Sequence, residues 1–262
     1  MKQKYEVIII GAGVVGTASM YALSRYSDFK NVLIIEKEKD VALLNSNSNN
    51  NSQTLHSGEI ETNYSIEKTK ETKENAKLVV SYANKELDED ERRNIIQKCQ
   101  KMTLAVGDDE IDKLEKRYDS EFKDIFPYVK RLDKKEDIAK VEPNVVKGRD
   151  ENEKLLALFT DNGYMVDYHN LSKSFIETAL QRDSFKARFN EEVKEIKKTS
   201  QGYTVKTNKN EFLSDSVLVT AGAYSLFFAK KLGYGKNLVI FGSVMSGSPC
   251  TAAKGIPSLS TL

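Results

Sequence analysis

The apolar run Val7–Ile10, closed by Gly11, Gly13 and Gly16, constrains this chain more than any other stretch. Four consecutive β-branched residues bounded by glycine read as a strand buried on both faces, from Tyr5 to Ile10. From Val14 to Tyr26, Ala, Met, Leu and Tyr recur at helical spacing without proline. NVLIIEK, residues 31–37, is then a second buried strand ending in an acid. The unit is βαβ, and the expected class is α/β. Glu36 stands twenty residues beyond Gly16, the spacing of a dinucleotide-binding turn. Gly11 permits the tight turn, Gly13 lets the backbone approach a pyrophosphate, and Gly16 lets helix and strand pack closely. The helix start offers free N–H groups to phosphate. Glu36 is expected to accept from an adenosine ribose and to disfavour a 2′-phosphate. Ala12, Val15 and Lys37 flank these positions and complete the set expected near the nucleotide.

Composition removes other classes. With 40 Lys+Arg against 39 Asp+Glu, the chain has no net field for gathering nucleic-acid phosphates, so no nucleic-acid partner is expected. Cys99 and Cys250 stand far apart with no CxxC spacing, and neither a disulfide framework nor a metal site is expected. The longest apolar run falls well short of the roughly 20 residues that span a bilayer. The N-terminus lacks the small-residue cleavage site of a signal peptide. A cytoplasmic location is the expectation.

Farther along, Asn45–Ser52 is a low-complexity polar tract that reads as a flexible loop. QTLHSGEIETNYS, residues 53–65, mixes small, polar and apolar residues without period, as a loop around a ligand would. One or two amphipathic helices are expected from Ile66 to Gln97, and a strand over Lys101–Val106. A helix capped by Asp108 or Asp109 follows, then a short strand and a helix stopping at Pro143. LLALFT precedes a turn expected at Asp161–Gly163. Asp167 and Asn170 offer caps for a helix over Leu171–Gln181. Three strand-like segments, EEVKEIKK, GYTVKTN and SVLVTAG, form a β-meander.

Two segments bear on which dinucleotide is bound. Ser52, Gln53 and Thr54 open a loop placed where flavoenzymes bring hydroxyl and backbone groups to the pyrophosphate and ribityl chain. VLVTAGAYS, with Thr220, Ala221 and Gly222, resembles the second flavin-contacting strand of the glutathione-reductase-type FAD fold, and NEEVKEI resembles its adenine-contacting strand, with Val193 against the ring. The order of pieces resembles the D-amino-acid-oxidase-like branch. Within it, NSQTLHSGEIETNYS, GAGVVGTA and GYMVDYHNLSKSF together resemble the malate:quinone oxidoreductase family.

The resemblance implies an FAD-binding Rossmann-like domain with an inserted, incomplete α+β substrate domain. It divides the chain into residues 1–100 and 171–235 for the flavin, 101–170 for the insertion, and an aberrant tail from 236. It further implies FAD as cofactor and oxidation of malate, or a similar hydroxy acid, to its keto acid in the tricarboxylic acid cycle. Electrons then pass to a quinone through peripheral contact with the inner face of the cell membrane. Malate gives up the hydride on its hydroxyl-bearing carbon while a base takes the hydroxyl proton. Histidine suits that base. Of the two in the chain, His56 lies in the flavin loop and is the candidate catalytic residue, whereas His169 reads as part of a helix cap. A dicarboxylate also needs cationic clamps, best supplied by arginine. The sequence does not choose among Arg92, Arg93, Arg117, Arg131, Arg149, Arg182 and Arg188. Alternatives are an oxidase of another hydroxy acid or amino acid, and a non-catalytic remnant of a nucleotide fold. The Gly-, Ser- and Pro-rich composition after Gly235 is what a frameshift or premature stop would produce. On that expectation one wall of the flavin site is incomplete and catalysis is lost.

Overall fold

A computed structural model describes residues 3–239. The tail expected to be irregular lies outside the described residues beyond 239. The chain begins with β1 (Lys4–Ile10), α1 (Val14–Tyr26) and β2 (Val32–Ile35), with β1 and β2 parallel and in register from Val7↔Val32 to Ile10↔Ile35. Then come α2 (Ile66–Glu86), α3 (Glu89–Ile95), β3 (Ile96–Val106), α4 (Asp108–Arg117), α5 (Lys123–Ile125), β4 (Lys130–Leu132) and α6 (Lys135–Val141). β5 (Leu155–Val166), α7 (Tyr168–Leu180) and β6 (Phe185–Arg188) precede the meander of β7 (Val193–Thr199), β8 (Gly202–Thr207) and β9 (Glu211–Val219). A short α8 (Ser225–Lys231) closes the described fold.

The strands make a six-stranded sheet in the order β6-β2-β1-β9-β8-β7 and a three-stranded sheet in the order β3-β5-β4. In the larger sheet β6, β2, β1 and β9 run parallel, and the meander adds β8 and β7 antiparallel. Alternation along β1 divides the core. Val7 and Ile9 pack with Met20, Ile176, Ala179 and Phe185 beneath α1 and α7. Tyr5, Ile8 and Ile10 pack with Val193, Ile196, Val205, Phe212 and Phe228 on the other face. Each such side chain stabilises the fold by about 1.5–3 kcal/mol relative to exposure. Arg182 ties the end of α1 to α7 by donating to the carbonyls of Ser24 and Phe29, each at 2.8 Å.

Four local expectations change. Residues 161–163 form no turn, because β5 runs through them. The register shifts between Cys99 and Lys101, so an extra residue is absorbed as a bulge, and Gly163 fits because a Cβ there would meet Lys101 Cγ at 2.6 Å. β3 starts at Ile96, where helical character was expected, since α3 ends at Ile95 and the chain at once pairs with β5. The residue capping α4 is Gly107; Asp108 and Asp109 lie inside its first turn, where their charge suits the helix dipole. Asp167 caps α7 by accepting from the His169 and Asn170 N–H groups, both at 3.0 Å, which places Asn170 within the helix. β6 had no sequence signal of its own; four residues become a strand because the open edge of β2 pairs with them.

The tightest junction is Gly16. A Cβ there would stand 1.9 Å from the Gly11 carbonyl oxygen and 2.7 Å from Thr220 Oγ1. Gly16→Ala must therefore push α1 away from both strand ends. We expect a loss of about 3 kcal/mol or more, read as a fall in urea midpoint at unchanged slope, whereas Gly233→Ala, which meets no atom within 4 Å, should lose only its left-handed φ preference, about 1 kcal/mol.

Candidate functional site

Parallel strands place the ends of β1, β2 and β9 on one edge, and a cleft of about 970 Å³ opens there. That is the upper end of the range for small-molecule sites. Its walls come from three chain turns. The β1–α1 turn supplies Gly11, with φ at +101°, and Gly13, whose missing side chain leaves the cleft open except for Ser46 Oγ at 3.4 Å. The end of β2 supplies Glu36 and Lys37, and the β9–α8 turn supplies Thr220, Ala221 and Gly222. Thr220 Oγ1 donates toward the carbonyls of Ile10 and Gly11 at 3.0 and 2.8 Å, so the first and third walls are joined directly. Val193 and Lys194 from β7 line the same space.

Glu36 is held before any ligand arrives. Its Oε2 accepts from Ala12 N–H at 2.7 Å and its Oε1 from Glu38 N–H at 3.0 Å. A carboxylate has about four acceptor positions, so two remain for hydroxyl donors. Glu38, Glu191 and Glu192 also line the cleft, each with a cation beside it: Lys37 and Arg188 stand 3.8 Å from Glu38 and Glu191, and Lys194 pairs with Glu192. The other side is apolar and aromatic, with Tyr224, Phe227 and Val15 exposed and Lys37 Nζ lying 5.4 Å from the Tyr224 ring centre.

The cleft therefore unites Gly11, Gly13, Val15, Glu36, Lys37, Val193, Thr220, Ala221 and Gly222 from the expected set. Ala12 and Gly16 stand behind its surface. Ser52, Gln53, Thr54 and His56 do not line it. Instead residues 43–46 do: Leu43, Leu44 and the first two residues of the asparagine tract, Asn45 and Ser46, form a fourth side. Ser46 Oγ accepts from Val14 N–H at 3.1 Å and caps α1, whose own N-cap residue, Gly13, has no side chain to do so. The tract is shaped by its own amides, as Asn50 and Asn51 donate to the carbonyls of Leu44, Asn45 and Asn47. Low complexity concealed these residues, although Ser and Asn are the types that satisfy a helix start.

Residues 53–65 dock on the three-stranded sheet. Thr54 bridges to Met165, Leu55 N–H donates to the Tyr164 carbonyl at 3.0 Å, and Tyr168 Oη donates to the Thr54 carbonyl at 3.1 Å. Arg117 donates to the carbonyls of Tyr64 and Glu61 at 2.6 and 2.9 Å, and burial lowers its pKa. Beneath the loop lies Lys101, its side chain 4% exposed, donating to the Leu55 carbonyl at 2.5 Å and to Ser57 Oγ at 3.2 Å. Glu59, 3% exposed, stands 3.8 Å away. It accepts from Ser57 Oγ at 2.8 Å and from Tyr128 Oη at 2.5 Å. Burial, and then the Glu59 carboxylate, push the Tyr128 hydroxyl well above its ordinary pKa, so it remains a donor. On the outer side of this clamped loop His56 is 54% exposed, with Nδ1 2.5 Å from Glu61 Oε1. Gln53 Oε1 and His169 Nδ1 are buried without a hydrogen-bond partner among the described residues.

The family profile of malate:quinone oxidoreductase matches residues 3–250. The chain belongs to the malate:quinone oxidoreductase family. A probable malate:quinone oxidoreductase of Campylobacter jejuni is 41% identical over 90% of this chain and 54% of that protein. The malate:quinone oxidoreductase of Helicobacter pylori strain 26695 is 38% identical over 91% of this chain and 53% of its own. The chain thus spans about half the length of these relatives. Among solved structures, glycine oxidase from Geobacillus kaustophilus superposes with a TM-score of 0.71 at 20% identity, covering 88% of this chain and 59% of its own. The FAD-bound L-α-glycerophosphate oxidase of Mycoplasma pneumoniae gives 0.64 at 24% identity, covering 87% and 57%. The fold expected from sequence, a Rossmann-like α/β domain of flavin-oxidase type, is the fold observed.

The buried cluster yields a stability test. Lys101→Met leaves Glu59 as an unpaired buried carboxylate and should lower unfolding free energy by about 3–5 kcal/mol. Adding Glu59→Gln removes the stranded charge, and the double variant should regain part of that loss in chemical denaturation.

Proposed function

We propose that this chain forms the FAD-binding part of an enzyme that oxidises (S)-malate to oxaloacetate and passes the electrons to a quinone. The observation that carries the reading is the convergence of the β1–α1 glycine turn, Glu36 and the β9–α8 turn on one cleft, in a chain of this family. The open space at two glycines of the cleft supports this reading. Gly13 and Gly222 leave space where a side chain would intrude; a Cβ on Gly222 would find only Asn45 Nδ2, at 3.8 Å. On this reading the six-stranded sheet is the flavin domain, and the three-stranded sheet, from β3 onward, begins the substrate domain.

Each residue then has a physical task. The α1 start presents N–H groups to the pyrophosphate. Glu36 accepts from the adenosine ribose with its remaining lone pairs, Val193 packs on adenine, and Thr220–Gly222 form the wall toward the flavin end. Ser52, Gln53 and Thr54, on the adjoining loop outside the cleft, are given no flavin contact in this reading. When bound, FAD supplies the two-electron acceptor chemistry. For the hydroxyl proton of malate the chain offers His56. Its Nδ1 stands 2.5 Å from Glu61 Oε1, a contact that orients the ring. No described helix is long and apolar enough to cross a membrane. Contact with the quinone is accordingly proposed as peripheral.

Titrating the purified chain with FAD, followed by flavin fluorescence, tests the cofactor. We expect saturable binding with little competition from NAD, and a Kd raised at least about tenfold by Glu36→Ala, which removes charge-assisted acceptors. Absence of FAD binding, or tighter NAD binding, overturns the reading. Anaerobic addition of malate, 2-hydroxyglutarate, glycerol 3-phosphate or glycine to the loaded protein then tests the substrate, with bleaching by malate expected. Bleaching by another donor alone would replace malate as substrate. His56→Gln should leave FAD affinity within about threefold and slow malate-driven bleaching by about 10²–10⁴.

A further inference from the structure

The seven arginines that the sequence left equivalent are not equivalent in the fold. Arg93, Arg131 and Arg149 meet carboxylates at hydrogen-bonding distance, as does Arg25. Arg117 and Arg182 donate to backbone carbonyls, and Arg188 stands 3.8 Å from Glu191. Arg92 alone among them has a guanidinium with no acceptor among the described residues, although it is half-buried. It opens onto a second concavity of about 210 Å³, between α2, α3 and the β3–β5 pair, lined by Val80, Asn84, Arg93, Ile96, Lys98 and Tyr164. Lys98 likewise has no anionic partner among the described residues.

The nearby acids of α3 are already engaged. Glu89 pairs with Arg93, Asp90 lies 3.8 Å from the same guanidinium, and Asp88 and Glu91 satisfy each other's backbone in a capping box. Arg92 and Lys98 therefore face the concavity as uncompensated cations. A guanidinium fork matches a carboxylate in two parallel hydrogen bonds. Val80 and Ile96 add apolar walls, which suit a carbon skeleton better than a bare inorganic anion. The volume is several times the roughly 30 Å³ share of a water molecule and below the ~300 Å³ of larger ligand sites, the size of a small organic acid.

We propose that this concavity is a binding site for a small dicarboxylate, with Arg92 as its principal contact, Lys98 as its second cation and Asn84 as an added donor. The site is separate from the nucleotide cleft and does not depend on FAD being the cofactor. It communicates with the clamped loop through Tyr164, whose ring lines the concavity and whose carbonyl accepts from Leu55 N–H, next to His56.

The test is a titration of the ¹⁵N-labelled chain with succinate, malate, acetate and inorganic phosphate, following the amides of residues 80–84, 96–98 and 164. Succinate and malate should shift these amides saturably, acetate more weakly and phosphate weakest. Arg92→Gln should weaken dicarboxylate binding about tenfold or more, whereas Arg93→Gln, whose wild-type side chain is already paired, should change it less than about threefold. Lys98→Gln, a surface change that spares the fold, should weaken it by an intermediate factor. The proposal fails if no anion produces saturable shifts at these amides, if phosphate binds as well as succinate, or if Arg92→Gln binds like the parent. FAD titration of the same samples reports on the nucleotide cleft separately.

Discussion

The contact between Gly16 and the Gly11 carbonyl brings α1 against the end of β1, and Thr220 locks β9 to the same point through two hydrogen bonds. The end of β1, the start of α1 and, some two hundred residues later, the end of β9 meet within a few ångströms because α1 has no side chain at Gly16. Two walls of the cleft, the β1–α1 and β9–α8 turns, meet at this junction. Glu36 is placed by β2 lying parallel to β1, and its carboxylate reaches back to Ala12 N–H, so the second wall is fastened to the first. Ser46 fastens the segment of residues 43–46 by capping α1 from outside the helix. The cleft is thus held together by hydrogen bonds between the Glu36, Ser46 and Thr220 side chains and backbone groups of the β1–α1 turn.

A second fastening governs the loop over residues 53–65. Its backbone carbonyls accept from Lys101, Arg117, Thr103 and Tyr168, all of which come from the three-stranded sheet and its neighbouring helices. An irregular segment has no ladder of its own, and buried carbonyls left unpaired would each cost about 1–3 kcal/mol. Long cationic side chains solve that problem. They also explain why a Lys–Glu pair lies under a loop in an otherwise apolar interior: Lys101 is needed for the Leu55 carbonyl, and Glu59 balances the charge.

Much of the fold was legible. β1, α1 and the meander followed from period and punctuation, because these elements carry their burial pattern locally. The glycine turn and Glu36, read from motif spacing, and Val193 and the Thr-Ala-Gly segment, read from resemblance, line one cleft. What escaped had a common cause. β6 exists because β2 has an open edge, residues 161–163 stay in the strand because β5 absorbs its extra residue as a bulge against β3, and the asparagine tract contributes to the cleft because Ser46 caps α1 from a distance. Each depends on a partner distant in sequence, so no local pattern announces it. The same holds for charge: Arg92 and Arg93 are adjacent and alike in sequence, and only the position of Glu89 separates a paired guanidinium from a free one.

By itself, the sequence determined the βαβ start with its glycine turn, which rests on residue types at short, fixed spacings, and, through resemblance, the malate:quinone oxidoreductase family. The tertiary structure decided which residues line the cleft, that the asparagine tract lines it while Ser52–Thr54 and His56 sit on a separately clamped loop, and which cations remain unpaired. Those outcomes follow from long-range packing and from hydrogen bonds that each buried polar group must find wherever the fold puts a partner.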